Sequence, residues 1–189
     1  EFYDTGIKEN YYAKGVSPFI KQTFDNNTIN GEPWSKYAAG YMWGVTGIIY
    51  NPEYVTKEEA STWKIINNDK FRRKITVKDN VRDTMFAAIG AIKSDKLRSQ
   101  DFTKQADYTD KLAEVMNDTS KDTVDEVLEY LQQVKDNVYS FETDSGKIDA
   151  ITGKISAGYQ WSGDAVYIMQ QAEANDVDLN FAIPEECTN

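Results

Sequence analysis

The chain contains no histidine and one cysteine, Cys187, in 189 residues. The absence of histidine excludes Ser-His-Asp and Cys-His activation of a nucleophile, and it removes the commonest general base and the ligand of most catalytic zinc sites. A lone cysteine closes no intrachain disulfide and builds no cysteine zinc site. Cys187 also has no base beside it to make it a nucleophile. Positive charge is scarce as well: 21 lysines and arginines stand against 31 aspartates and glutamates, giving a net charge of −10 and a pI near 4.6. Phosphate backbones are bound by clustered cations, whereas the basic trio Arg72, Arg73 and Lys74 is isolated, so no nucleic-acid partner is expected. A cationic ligand is the more natural partner. No run reaches the roughly 18 apolar residues of a membrane span, the longest candidate being the mixed stretch from Met42 to Tyr50. The phosphate-cradling Gly-Lys loop, the dinucleotide fingerprint and metal-spaced ligand clusters are missing too, so neither cofactor nor metal is expected. The start has no initiator Met and no signal peptide, and the chain reads as a mature or excised piece.

What is present suits a folded α/β protein. Apolar residues make up 40% of the chain and aromatic residues 13%, enough for a real core in one compact domain or two small ones. Residues 1–36 carry Gly, Asn and Pro punctuation with scattered aromatics such as Phe2, Tyr3, Tyr11, Tyr12 and Trp34. They read as irregular, with a short helix near Pro18 to Phe24. From Tyr37 to Tyr50 an aromatic and β-branched run predicts one long or interrupted strand, its glycines marking a bulge or a close approach. Beyond Pro52, helices and strands alternate. Thr56 and Glu59 have the capping-box spacing, which predicts a helix over 57–67. Lys74 to Val77 reads as a strand, and Asn80 caps a helix whose apolar residues Val81, Met85, Phe86, Ile89 and Ile92 share one face. Helices are expected over about 104–117 and along the face Val124, Val127, Leu128, Leu131 and Val134, the latter opened by Thr123 and Glu126. Strands follow at 138–142, 155–161 and 177–183, with helices opened near Asp144-Ser145-Gly146 and at Ser162. Crossovers of this length imply a mostly parallel sheet covered by helices on both faces.

Such sheets bind ligands beyond the carboxyl ends of their strands, so the informative residues are those where a strand hands over to a helix. Three handovers stand out. The first is KDNVRD, Lys78 to Asp83, where Asp83 falls in the first helical turn and the positive end of the helix favours an anion. Helix capping accounts for such a residue equally well. The second is WSGD, Trp161 to Asp164. Gly163 lets the backbone approach a ligand, Ser162 is placed to cap the helix, and an indole face beside a carboxylate is what a cationic amine needs. A core tryptophan beside an ordinary cap is the plain alternative. The third is Asp144-Ser145-Gly146, which supplies backbone amides or another carboxylate, or a simple N-cap. Tyr41 and Trp43 fit a site or a core.

Taken together, the runs YMWGVTGIIYNP (Tyr41 to Pro52), STW (Ser61 to Trp63), KITVKDNVRD (Lys74 to Asp83), DSGK (Asp144 to Lys147), WSGDA (Trp161 to Ala165) and FAIPE (Phe181 to Glu185) resemble the spermidine/putrescine-binding branch of the solute-binding proteins of ABC importers. They occur in that family's order and spacing across about residues 37–189. The resemblance implies a periplasmic-binding-protein-like α/β lobe within a truncated two-lobe protein that closes on its ligand like a hinge. On this reading residues 1–36 are an irregular remnant of the first lobe and residues 37–50 a hinge-crossing strand. Residues 51–176 form the second lobe, and 177–189 a return strand toward the first. The family's acid falls on Asp83, its stacking tryptophan on Trp161 and a further acid on Asp164. Asn80 stands where some relatives carry an acid, and Trp43 completes the expected ligand-binding set.

The resemblance further implies a receptor without catalysis that binds a polyamine, spermidine or putrescine, and works with a membrane permease and ATPase. It would lie outside the cytoplasm, at the cell surface or in the periplasm, held by a lipid anchor or by fusion to the permease. The piece would be monomeric or strand-exchanged. Two other readings stay open. An importer receptor for ferric iron or thiamine would draw on the 12 tyrosines. A carboxylate-run glycosidase would use Asp83 and Asp164 as acid and base, although two first-turn aspartates are both favoured as anions whereas a general acid must hold its proton.

Overall fold

The computed structural model describes residues 15–38, 40 and 42–187, in two compact units, 1–43 and 44–189. Phe2, Tyr3, Tyr11, Tyr12 and Tyr41 lie outside the described residues. In the first unit, helix α1 (Pro18–Asn26) begins where Ser17 Oγ accepts from the Ile20 amide, with Pro18 at the position that needs no N–H donor. A two-residue turn at Asn30 and Gly31, both left-handed, joins strands β1 (Thr28–Ile29) and β2 (Glu32–Pro33). Phe24 and Trp34 meet edge to face at 6.0 Å.

The second unit is built on a five-stranded sheet of order β5-β4-β6-β3-β7. Its strands are β3 (Thr46–Tyr50), β4 (Ile75–Lys78), β5 (Ser140–Glu142), β6 (Ala157–Trp161) and β7 (Asn180–Ala182). β4 pairs in parallel with β5 and β6, whereas β3 runs antiparallel to both of its neighbours, β6 and β7. Four of the five strands therefore point the same way, and their carboxyl ends share one edge.

The strand expected over residues 37–50 is shorter than its composition suggested, because the ladder needs a partner. Thr46 lies opposite Trp161, the last residue of β6, and there β6 turns into a helix. On the other side of β3, Gly47 passes so close to β7 that a Cβ there would stand 2.5 Å from the Ala182 carbonyl oxygen.

Alternation along the strands divides the core. Ile48, Ile75, Val77 and Tyr159 point to one face, where they pack on Trp63, Ile65 and Ile66 of a 3-10 turn (Trp63–Asn67) and on helices α3 (Val81–Ile92) and α7 (Lys121–Asn137). Ile49 points to the other, against helices α8 (Gly146–Ile151) and α9 (Ser162–Glu173). Trp63 is fully buried, with Tyr159 at 4.8 Å and Phe86 at 6.1 Å, both edge to face. A third cluster packs α3 and α7 on the short helices α4 (Ser94–Leu97), α5 (Gln100–Thr103) and α6 (Tyr108–Met116).

Several boundaries moved for local reasons. The capping box of Thr56 and Glu59 is formed as expected, but its helix α2 (Lys57–Ala60) stops early. Thr62 starts a new turn there by accepting from the Lys64 amide. α7 opens at Ser120, whose hydroxyl accepts from the Thr123 amide, three residues ahead of the expected start. Residues 185–187 pack back on the second unit. Glu186, fully buried, accepts from the Thr62 and Ser94 hydroxyls and the Trp63 amide, and Trp63 Nε1 donates to the Cys187 carbonyl.

Candidate functional site

The carboxyl ends of β4, β5 and β6 open into a cleft of about 250 Å³ lined by Lys78, Asp79, Asn80, Asp83, Thr143, Asp144, Trp161 and Asp164. All three strand-to-helix handovers contribute to it, as expected for the parallel part of an open sheet. Four of the eight lining residues are aspartates and one is a lysine. A larger groove of about 970 Å³ lies among α5, α6 and the start of α7, away from the strand ends. It carries no convergent set of this kind.

Asn80 is the N-cap of α3, its Oδ1 accepting from the Asp83 amide at 3.1 Å. The cap fixes the first turn and so aims Asp83, which is only 4% exposed although it lines the cleft. Its Oδ1 is buried and receives no hydrogen bond. The nearest cation, Arg82 Nε, stands 3.9 Å away on a side chain that is 83% exposed. A buried carboxylate oxygen without a donor is costly in a folded protein, and a donor arriving from a ligand would relieve that cost.

Trp161 closes β6 and is half-buried at the cleft wall. Ser162 does not cap α9. Its hydroxyl accepts from the Val45 amide at 3.1 Å while its own amide donates to the Val45 carbonyl at 2.7 Å, so the residue is committed to the strand beside it. Asp164, in the first turn of α9, is not free either: Lys147 Nζ lies 2.9 Å from its Oδ1 and 3.0 Å from Asp144 Oδ1. The hydrogen bonds to Asp164 and Asp144 raise the Lys147 pKa above its ordinary value, and the one from Lys147 holds Asp144 below the usual carboxylate range. Trp43 belongs to the other compact unit, where its indole is 73% exposed.

Beneath the cleft lies a polar network that sequence reasoning missed. Lys78 Nζ donates to Gln160 Oε1 at 2.7 Å and to the Thr143 carbonyl at 2.9 Å, and it lies 3.8 Å from Glu142 Oε1. Glu142 in turn accepts from the Gly146 amide and from Gln160 Nε2. The Lys78 and Glu142 side chains are 6% and 2% exposed. A Cβ at Gly146 would stand 2.5 Å from the Glu142 carboxylate, so a side chain there has to displace that buried group. The signal was present in the sequence: a lysine, a glutamate and a glutamine each stand at or next to the carboxyl end of a strand. The network neutralises its own charge, so the rim aspartates set the field of the cleft. Chemically, the site offers a negative, partly aromatic wall to a small cation.

Comparison with known proteins agrees with this architecture. Residues 2–188 match the family described as bacterial extracellular solute-binding protein. A spermidine/putrescine-binding periplasmic protein of Haemophilus influenzae is 22% identical over 152 residues, which are 80% of this chain and 36% of that protein. Among solved structures, a spermidine/putrescine ABC transporter substrate-binding protein from Streptococcus pneumoniae superposes with a TM-score of 0.67 at 20% identity, covering 93% of this chain and 45% of its own. A putative spermidine/putrescine ABC transporter protein from Listeria monocytogenes gives a TM-score of 0.64 at 20% identity, over 97% of this chain and 52% of its own. At these identities the structural likeness establishes the fold, a mixed sheet flanked by helices of the periplasmic-binding-protein type. The chain spans about half, or less, of the length of each.

Proposed function

The chain belongs to the bacterial extracellular solute-binding protein family, and from that premise we propose that it serves as the solute-binding component of an ABC importer whose ligand is a polyamine such as putrescine or spermidine. The observation that carries this reading is Asp83: a carboxylate almost wholly buried at the wall of the cleft, with one oxygen lacking a donor and an indole lining the same space. A primary ammonium supplies that donor together with the opposite charge, and charge-assisted hydrogen bonds are the strong ones. Trp161 covers the methylene chain and attracts the ammonium through its ring face, a contribution of about 0.5 to 2 kcal/mol. Asn80 keeps Asp83 in position through the cap. Asp164 completes the acidic rim.

The family is a solute-binding class rather than an enzyme class, and the protein acts by capture and delivery to a membrane permease driven by an ATPase. It works outside the cytoplasm, held near the membrane by a lipid anchor or by fusion to the permease. The test is tryptophan fluorescence of the complete natural protein titrated with putrescine and spermidine. Asp83→Ala and Trp161→Ala are each expected to weaken binding by at least about tenfold, equivalent to about 1.4 kcal/mol. Unchanged affinity in both variants refutes the assignment.

A further inference from the structure

We infer that Lys147 is a specificity-determining residue: a resident ammonium that fills the Asp144 and Asp164 pole of the cleft, so that a ligand gains its buried ion pair in this lobe at Asp83, Asp79 being exposed. The inference rests on the amine-binding reading above and adds to it a limit on the number of charges recognised. Of the four aspartates that line the cleft, Asp144 and Asp164 share one lysine at 3.0 and 2.9 Å, whereas Asp83 has no hydrogen-bonding cation. Lys147 stands in the first turn of α8, where the helix dipole opposes a positive charge. That unfavourable placement is offset by two carboxylates reached from two different handovers. Its side chain is 24% exposed and Asp164 34%, so the pair is partly shielded from water and competes in earnest with an incoming ammonium.

The consequence is a cleft with two unequal poles. At Asp83 the protein offers only the exposed Arg82 side chain at 3.9 Å, and the ligand supplies a hydrogen-bonding cation. At Asp164 the protein already holds one, so a second ligand ammonium meets either a filled acid or the lysine itself. Removing the lysine charge opens a second cation subsite without touching Asp83.

The experiment compares butylamine, putrescine and spermidine by calorimetry at pH 7 and fixed ionic strength, with weak binders measured by competition. It uses the complete natural protein and its Lys147→Met and Lys147→Arg variants. Lys147→Met is expected to tighten putrescine and spermidine relative to butylamine by at least about fivefold, the range of a partly screened ion pair. Lys147→Arg retains the native ratio. A ratio unchanged within about twofold in Lys147→Met, or equal weakening of all three amines, overturns the inference and leaves amine binding standing. Failure of every amine to bind both the native protein and Lys147→Met removes the polyamine reading, and the inference with it.

Discussion

Replacing Glu142 by leucine removes the negative half of the buried pair under the cleft, and the structure sets the size of the effect. At 3.8 Å from Lys78 Nζ, the Coulomb term is about 4 kcal/mol at an effective dielectric constant of about 20. The variant leaves the Lys78 ammonium with only two neutral acceptors, the Thr143 carbonyl and Gln160 Oε1. It also strands the Gly146 amide and Gln160 Nε2, both of which donate to Glu142. Breaking a buried pair from one side costs about 3 to 5 kcal/mol, a large part of the 5 to 15 kcal/mol by which domains are typically stable. Urea unfolding followed by circular dichroism reads this as a fall in midpoint at constant slope. The double variant Lys78→Met, Glu142→Leu removes both charges together and is expected to lose less than the sum of the two single variants, because no unpaired charge is left buried, although the Gly146 amide and the Gln160 amide stay without their partners. A loss below about 1 kcal/mol for Glu142→Leu, or a double variant as unstable as the sum of the two single ones, refutes the reasoning.

Two further predictions address other parts of the second unit. Burial raises the pKa values of Tyr130, Tyr159 and Cys187, the last to about 12. The fold therefore favours their neutral forms, and their contribution is complete below the unfolded values, about 8.5 for cysteine and about 10 for tyrosine. It is lost as pH rises through the folded ones, so the melting temperature should fall steadily from about pH 9 upward; a flat profile to about pH 11.5 contradicts this. Gly47→Ala places a Cβ 2.5 Å from the Ala182 carbonyl oxygen and 2.6 Å from the Phe181 ring. A loss of about 1 to 3 kcal/mol is expected, with faster amide exchange in β7, and native exchange rates there would show that the strands separate without cost.

Much of the site could be read before any coordinates, because its parts are local. Asn80 capping the helix that carries Asp83 is a three-residue pattern, and the capping box at Thr56 and Glu59 is another. The convergence of Asp83, Asp144, Trp161 and Asp164 also followed, since parallel strands bring their carboxyl ends to one edge. What escaped was long-range pairing between polar groups. Lys78 meets Gln160 across 82 positions and Glu142 across 64, and strand register alone decides that they touch. Ser162 misled for a related reason. A serine at a helix start is a good cap by propensity, but here the Val45 amide, just ahead of β3, donates to its hydroxyl instead. The ion pairs of Lys147 with Asp144 and Asp164 likewise depend on where α8 and α9 lie in space. Partners within one turn are encoded by spacing, whereas partners from separate elements are encoded by topology, which a single sequence reveals only through its pattern of strands.

The reciprocal bonds between Val45 and Ser162 have a mechanical meaning. The residue just ahead of β3 is riveted to the peptide that separates Trp161 from the turn bearing Asp164. A pull or twist applied to the chain at Val45 is therefore delivered straight to the indole and its acid, with no compliant loop in between to absorb it. Load on the strand and geometry of the cleft are coupled through this joint and through the adjoining ladder, where Thr46 lies opposite Trp161, and their stiffness sets how faithfully one follows the other.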